Sequence, residues 1–370
     1  MLEIQKYLGE SQISLSEKLQ SLRDLLNLNI KVQDNKILLN YRIDSPKDSD
    51  IVNECRGLIL DKDTFKVICF PFKRFYNYGE GYAAKIDWDS AEVYEKLDGT
   101  LCNLYWDEYN NKWQISTRNM IYAEGVINEN PLLKTKERTF AQLFWEIFFE
   151  HNLKIENFSK INTYCFELCS LENKVVKEYK ERYLCLLAVR RNDTEDLEEW
   201  PQNVVDYICI PHSILRPKRY RISTLTLECV QELFKDLQPD DEGFVVCDKY
   251  NNRIKVKNPE YFALSAIKNN GNIEKNIVRF VINGERSEFL SYFPEYTETY
   301  DKLFSKYEDL CASALQLFND NIKKESQKEF ALSILHHPMN SLLFQMRTKK
   351  YKNLREAIEN NLQLMEKVLL

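Results

Sequence analysis

At 370 residues, 44% apolar and 12% aromatic, the chain is long enough for two domains, each with a core of its own. A net charge of −6 excludes a globally basic nucleic-acid binder, and no apolar run is long enough for a membrane-spanning helix. The opening M-L-E-I-Q-K-Y has neither the basic nor the apolar region of a signal peptide, so a soluble cytoplasmic protein is expected. Ten cysteines are scattered without a C-x-x-C pair and only four histidines could join them, which predicts buried thiols in a reducing compartment. His336 and His337 adjoin Pro338 and read as a helix end rather than a ligand pair.

In chain order, residues 14–29 predict a helix capped by Ser14 or Ser16, with Leu19, Leu22, Leu25 and Leu26 on one face. From Arg56 to about Arg118, short alternating runs are broken by Asp and Asn; L-I-L-D-K-D-T-F-K-V-I predicts one hairpin and L-Y-W-D-E-Y-N-N-K-W-Q-I another. A helix is expected from Thr139, burying Phe140, Leu143, Phe144, Ile147 and Phe148. Strands follow at 163–169 and 183–189. A further helix is expected from Ser223, with Leu227, Val230, Leu233, Phe234 and Leu237 inward, then a hairpin from Gly243 to Lys257. Beyond residue 262, Leu303, Tyr307, Leu310, Ala314 and Phe318 keep a helical period, as do 327–335 and 353–369. The expected class is α+β over residues 1–262, followed by a mostly α-helical domain over 263–370.

The segment E-K-L-D-G-T-L contains Lys96, Leu97, Asp98 and Gly99. Such a K-x-D-G pattern arises by chance in about one chain of this length in ten, and alone it is a polar turn with an exposed lysine. Other clusters give it a use. If Ile254 to Lys257 is a strand, alternation puts Lys255 and Lys257 on one face, where two cations side by side call for an anion such as phosphate. The alternative is an edge strand with its lysines in water. A free lysine titrates near 10.4, so about one in a thousand is the neutral nucleophile at neutral pH, at a cost of roughly 4 kcal/mol. One cation about 5 Å away, at an effective dielectric near 20, offsets roughly 3 kcal/mol of that. Asp98 could orient the nucleophile or a metal, and Gly99 could let the backbone approach phosphate.

Glu167 in Y-C-F-E-L-C is directed away from the face of Phe166 and Leu168, and could accept hydrogen bonds from ribose hydroxyls or simply face solvent. Glu242 could hold a metal ion, orient the lysines, or be an ordinary turn residue. Arg56 in N-E-C-R-G could fork onto phosphate or pair with Glu54. Phe72, Lys73, Arg74, Phe75, Tyr76 and Asn77 set cations beside rings suited to stacking a base. Two basic clusters, Arg216, Lys218, Arg219 and Arg221, then Arg347, Lys349, Lys350 and Lys352, are either solvated surface or local RNA contacts.

These blocks run in a fixed order: E-C-R-G, a basic residue before two aromatics and Asn, K-x-D-G, F-E with N-K-V-V, E-G-F-V, and K-V-K with a Tyr four residues on. From Arg56 to Tyr261 the chain resembles a covalent nucleotidyltransferase, specifically the RNA ligase 1 family of T-even-type phages. The resemblance implies a nucleotidyltransferase (ATP-grasp-like ligase) domain of antiparallel sheets and helices. It implies that Lys96 attacks the ATP α-phosphate and holds AMP, that Lys255 and Lys257 stabilise that phosphate, and that Glu167 binds the ribose. Glu242 would act with Mg2+ or Mn2+. Arg56, Arg74, Tyr76, Asp98, Gly99 and Arg118 would serve the nucleotide, Arg56 alternatively the RNA phosphate, with Tyr261 supporting the site. Arg74 and Arg118 stand where the family usually carries lysine. Ser287 and Glu288 replace an acidic pair, so no metal site is expected there.

The implied activity is ATP-dependent joining of RNA 3′-OH and 5′-phosphate ends through lysyl-AMP and an RNA-adenylate, in RNA or tRNA repair. RNA is the implied partner, nicked tRNA a candidate substrate chosen by the helical domain, and an end-healing kinase–phosphatase a candidate partner protein. If viral, the chain would work in the host cytoplasm. The alternatives are an mRNA-capping guanylyltransferase or a DNA ligase, which share K-x-D-G and the paired lysines, and a catalytically dead RNA-binding scaffold.

Overall fold

The computed structural model describes residues 1–10, 13–42, 44–127, 138–173, 176–193, 199–222, 225–261, 273–284, 286, 289–290, 296–324 and 326–370. The chain divides into two compact units, Met1–Leu264 and Ser265–Leu370.

The first unit is built on three sheets. Helices α1 (Glu3–Gly9) and α2 (Leu15–Leu26) pack on an antiparallel sheet of β1 (Leu28–Gln33), β2 (Lys36–Tyr41), β3 (Arg56–Asp61) and β4 (Val67–Cys69), with Leu19, Leu22, Leu39, Leu58 and Leu60 buried between them. Ser14 caps α2 by accepting from the Glu17 amide, while the Glu17 side chain answers to Ser14. The helix expected over 14–29 stops sooner because Asn27 turns left-handed, φ 51°, after which β1 begins. The alternation in L-N-I-K-V-Q that makes β1 a strand was there to read and was missed. A short helix α3 (Asp50–Glu54) leads into β3.

The second sheet has the order β12-β11-β7-β8, all antiparallel: β7 (Thr100–Asp107), β8 (Lys112–Ser116), β11 (Asn162–Cys169) and β12 (Tyr183–Arg191). A two-residue ladder of β9 (Val126–Ile127) and β10 (Arg138–Thr139) leads into α4 (Phe140–Glu150), which Thr139 caps as expected. Helix α4 buries Leu143, Phe144, Ile147 and Phe148 against Phe166 and Leu168 of β11.

The third sheet has the order β13-β6-β14-β15-β5, from β5 (Tyr76–Asn77), β6 (Glu92–Glu95), β13 (Arg219–Tyr220), β14 (Gly243–Cys247) and β15 (Arg253–Lys257). All its pairs are antiparallel except the two-residue contact of β15 with β5. After α5 (Gln202–Cys209), helix α6 (Leu227–Glu232) is capped by Thr226 and continues as a tighter turn over Leu233–Asp236. Its apolar residues and Leu237 cover Phe244, Val246, Ile254 and Val256. The helix start expected at Ser223 lies outside the described residues.

The second unit contains helices Ile273–Asn283, Thr297–Asn321, Gln327–Ile334, Asn340–Arg347, Leu354–Glu359 and Leu362–Leu369, with no strand among the described residues. His337 is buried just past one helix, its Nδ1 3.1 Å from the Met339 amide and its Nε2 3.1 Å from Ser313 Oγ. Ser287 and Glu288 lie outside the described residues. All ten cysteines are free, eight of them buried. No helix among the described residues is long and apolar enough to cross a membrane.

What positions the site is a crossover. Strand β6 belongs to the third sheet and β7 to the second, and residues 96–99 carry the chain between them. A Cβ on Gly99 would sit 2.4 Å from the Leu168 carbonyl oxygen and 3.1 Å from Glu167 Cγ. The sequence reading gave Gly99 to a phosphate; its first use is to let the turn lie against β11. Gly99→Ala must push the turn off β11. It is expected to lower unfolding free energy by about 1–3 kcal/mol in urea titrations, and an unchanged midpoint would contradict this packing.

Candidate active site

Alternation in β15 does what the sequence predicts. Ile254 and Val256 enter the core under α6, while Lys255 and Lys257 face a cavity of about 290 Å³. The same cavity is lined by Lys96, Gly99, Arg56, Glu167 and Glu242. Three sheets thus contribute: Arg56 opens β3, Glu167 lies on β11, and the paired lysines lie on β15.

The Lys96 amide donates to the Gly243 carbonyl at 2.8 Å, which ties the turn to the start of β14. This brings Lys96 Nζ to 2.5 Å from Glu242 Oε2, with side chains only 20% and 11% exposed. Gly243, at φ 125°, makes this closeness possible, since a Cβ there would lie 2.3 Å from the Val256 carbonyl oxygen. Glu167 reaches across from β11 and accepts from the Gly99 amide at 3.1 Å. Burial pushes the Glu167 carboxyl up to about 7; Lys96, Arg56 and the Gly99 amide hold it down while Glu242 adds to the rise. Near neutral pH it can therefore both donate to and accept from a hydroxyl.

Arg56 stands over the rings of Phe72 and Phe75, 5.9 and 5.6 Å from their centroids, and its Nη1 is buried with no hydrogen-bond partner among the described residues. It does not pair with Glu54, whose carboxylate accepts from the Glu3 and Ile4 amides at the start of α1. An orphaned buried guanidinium nitrogen costs about 1–3 kcal/mol, which an anion in the cavity would recover.

The structure moves other expected residues away from the cavity. Asp98 is buried outside the cavity lining: it accepts from the Val176 and Lys177 amides at 2.7 and 2.6 Å and from Tyr261 Oη at 2.9 Å, while its own amide donates to Tyr179 Oη at 3.0 Å. Asp98 and Tyr261 thus brace the turn from behind. Arg74 and Arg118 both stack on Tyr41, each 4.1 Å from its centroid, and Tyr76 donates to Asn53 Oδ1 at 2.8 Å. These three lie outside the Lys96 cavity, whereas Phe72 and Phe75, from the segment between β4 and β5, line it.

Sequence reasoning missed Arg253, which shares the face of Lys255 and lines the cavity. It is held by Glu199, 3.1 Å from Nη1, and Glu199 also binds Arg190 at 2.8 Å. Period two along R-I-K-V-K could have found Arg253; nothing local marked Glu199 or Tyr179. The basic clusters are partly structural. Arg216 is fixed by Asp206 and Gln202 at 2.7 and 2.6 Å, Arg219 by Glu92 at 2.9 Å, and Arg347 bonds the carbonyls that end the helix Thr297–Asn321.

Three carboxylates, Glu95, Glu167 and Glu242, line the cavity, Glu95 also lying 3.6 Å from the Lys177 amine, and no group of three or more His, Cys, Asp or Glu side chains gathers to hold a metal ion among the described residues. That donor set fits a divalent ion held by one or two carboxylates, waters and substrate phosphates, rather than a closed protein cage.

Sheets meeting at a K-x-D-G lysine, with paired lysines on the facing strand, define a nucleotidyltransferase-type ligase fold. The family model described as RNA ligase, that of T4 RNA ligase 1, matches residues 54–261, and the chain belongs to this family. It is 30% identical over 304 residues to a protein of Autographa californica nuclear polyhedrosis virus described as a bifunctional polynucleotide kinase/RNA ligase, covering 77% of this chain and 41% of that one. It is 27% identical to an RNA ligase of Rhodothermus phage RM378, covering 83% of this chain and 86% of that one. An archaeal ATP-dependent RNA ligase structure superposes with a TM-score of 0.48 at 12% identity, covering 94% of this chain and 82% of that one.

The Glu167 carboxyl gives a stability test. Its folded value, about 7, lies above the ordinary 4.5, so its proton favours the fold below pH 4.5 and that stabilisation is lost as pH rises towards 7. Relative to the parent, Glu167→Gln should therefore gain about 2–3 kcal/mol across this window in urea unfolding. A difference that stays constant with pH would contradict the desolvated carboxyl.

Proposed function

We propose that the chain is an ATP-dependent RNA ligase that works through lysyl-AMP on Lys96 and an RNA-adenylate. The observation that carries this reading is the single cavity in which the Lys96 amine meets Lys255, Lys257, Arg56, Glu167 and Glu242. In the first step Lys96 Nζ attacks the α-phosphorus of ATP, a P–N bond forms, the bond to pyrophosphate breaks, and the amine gives up a proton. Glu242, 2.5 Å from that amine, is the base within reach. Lys255 and Lys257 face the charge that grows on the α-phosphate, and Arg56 offers its unpartnered nitrogen to a phosphate oxygen. Glu167 takes the ribose hydroxyls.

In the second step an RNA 5′-phosphate oxygen attacks the adenylyl phosphorus and Lys96 leaves. In the third, a 3′-hydroxyl attacks the RNA 5′-phosphorus, a phosphodiester forms and AMP departs. Glu242, with waters and the substrate phosphates, would hold Mg2+ or Mn2+, which would supply charge to neutralise the triphosphate. Arg74, Tyr76 and Arg118 would act beyond the α-phosphate rather than at the lysine. Residues 1–262 would form the adenylyltransferase domain. The helical residues 263–370 would help select the RNA, nicked tRNA being the candidate, with Lys349, Lys350 and Lys352 as the basic side chains available there. The Autographa relative joins the names of kinase and ligase in one longer chain, which makes an end-healing kinase–phosphatase the natural partner.

With α-labelled ATP, the parent should take covalent label and seal RNA ends in preference to nicked DNA. Lys255→Ala or Lys257→Ala should cut labelling by about 100-fold with unfolding midpoints preserved. Undiminished labelling in both variants would overturn the assignment, and label taken from GTP instead would turn it towards capping.

A further inference from the structure

Behind the ring wall of the nucleotide cavity lies a second pocket of about 690 Å³, of whose lining the steps above call only on Arg74 and Tyr76. Phe72, Phe75 and Arg253 line both, so only that wall separates the two. Four cations, Lys73, Arg74, Arg190 and Arg253, face it against two carboxylates, Asp50 and Glu199, and Glu199 is already held between Arg190 and Arg253. The pocket is positive in a chain whose net charge is −6.

Its lining includes two exposed tyrosines. Tyr82 is 52% exposed and Tyr250 66%. Both are held rather than loose. The Tyr82 ring leans on Tyr76 at 5.9 Å, and Tyr250 sits on a turn fixed by Asp248, which accepts from the Tyr250 and Asn252 amides at 2.9 Å each. Asn251 secures the turn to the Glu199 carbonyl at 3.2 Å. Positioned aromatic faces beside cations and amides are the means by which single-stranded nucleic acid is held without sequence preference: bases stack on rings while phosphates meet cations.

We propose that this pocket binds the terminal nucleotides of a single-stranded RNA end, with bases on Tyr82 and Tyr250 and phosphate towards Lys73, one ring wall from the adenylylated lysine. The proposal rests on the RNA ligase reading and names a subsite for its substrate. The shared ligand chemistry is a stacked base with its phosphate, and either the 5′-phosphate end or the 3′-hydroxyl end could supply it.

The test measures fluorescence anisotropy of two short oligoadenylates on the full chain. One carries a 5′-phosphate and a blocked 3′ end; the other has a free 3′-hydroxyl and no 5′-phosphate. The double substitution Tyr82→Ala with Tyr250→Ala should weaken at least one by about 10- to 100-fold, the scale of losing one or two stacks. Tyr82→Trp with Tyr250→Trp should restore binding. Self-adenylylation should stay at the parent level, since neither tyrosine lines the Lys96 cavity. Loss on the phosphorylated oligomer alone assigns the donor end, and loss on the other alone assigns the acceptor. Equal affinity of parent and double variant for both, or no binding by the parent, overturns the subsite. Failure of the ligase reading would show separately, as a parent that binds oligomer yet takes no label from ATP.

Discussion

A lysine amine and a carboxylate 2.5 Å apart, at the seam between two sheets, form the contact on which the rest of the structure depends. It exists because β6 ends in one sheet and β7 begins in the next, so that residues 96–99 must cross from one to the other. The crossing is anchored at each side by backbone: the Lys96 amide on Gly243, the Gly99 amide on Glu167. Asp98 braces it from behind with Tyr261, Tyr179 and the amides of 176 and 177. A backbone held on both flanks fixes where the Lys96 side chain starts before a substrate arrives.

Around that contact the charge is unlike that of the whole chain. Arg56, Lys255, Lys257 and Arg253 face one small cavity in a protein of net charge −6. Of these, Arg253 has its own buried carboxylate, Glu199, while Arg56 keeps an unpartnered nitrogen. Concentrating cations in a cleft focuses the field on an anion there and leaves the outer surface acidic. Within the two basic clusters, which from sequence could be either solvated surface or RNA contacts, Arg216, Arg219 and Arg347 satisfy carboxylates and carbonyl oxygens.

Much of this was legible in the sequence, for reasons that can be named. Period two showed which face of 254–257 would carry lysines and which side of β11 would carry Glu167, because one face of each strand had to be buried. Caps located α4 at Thr139, and Leu, Val and Phe spacing located the cover over β14. The run from Phe72 to Asn77 has no period, so the sequence could not show that Phe72 and Phe75, rather than Arg74 and Tyr76, line the Lys96 cavity. The bracing role of Asp98 was illegible for a different reason. Its partners, Tyr179, Tyr261 and two amides, come from segments far along the chain, and no local pattern announces a long-range hydrogen bond. Glu199 escaped notice likewise, because its role depends on Arg190 and Arg253 meeting across two sheets.

The most direct measurement is peptide-level mass spectrometry of the protein after incubation with ATP and magnesium, followed by quenching in base, which preserves a phosphoramidate. The account predicts one adenylyl group, carried by the side-chain nitrogen of Lys96, and none on the same peptide from Lys96→Ala. An adduct on another residue, or ATP turnover with no covalent adenylate, would contradict it.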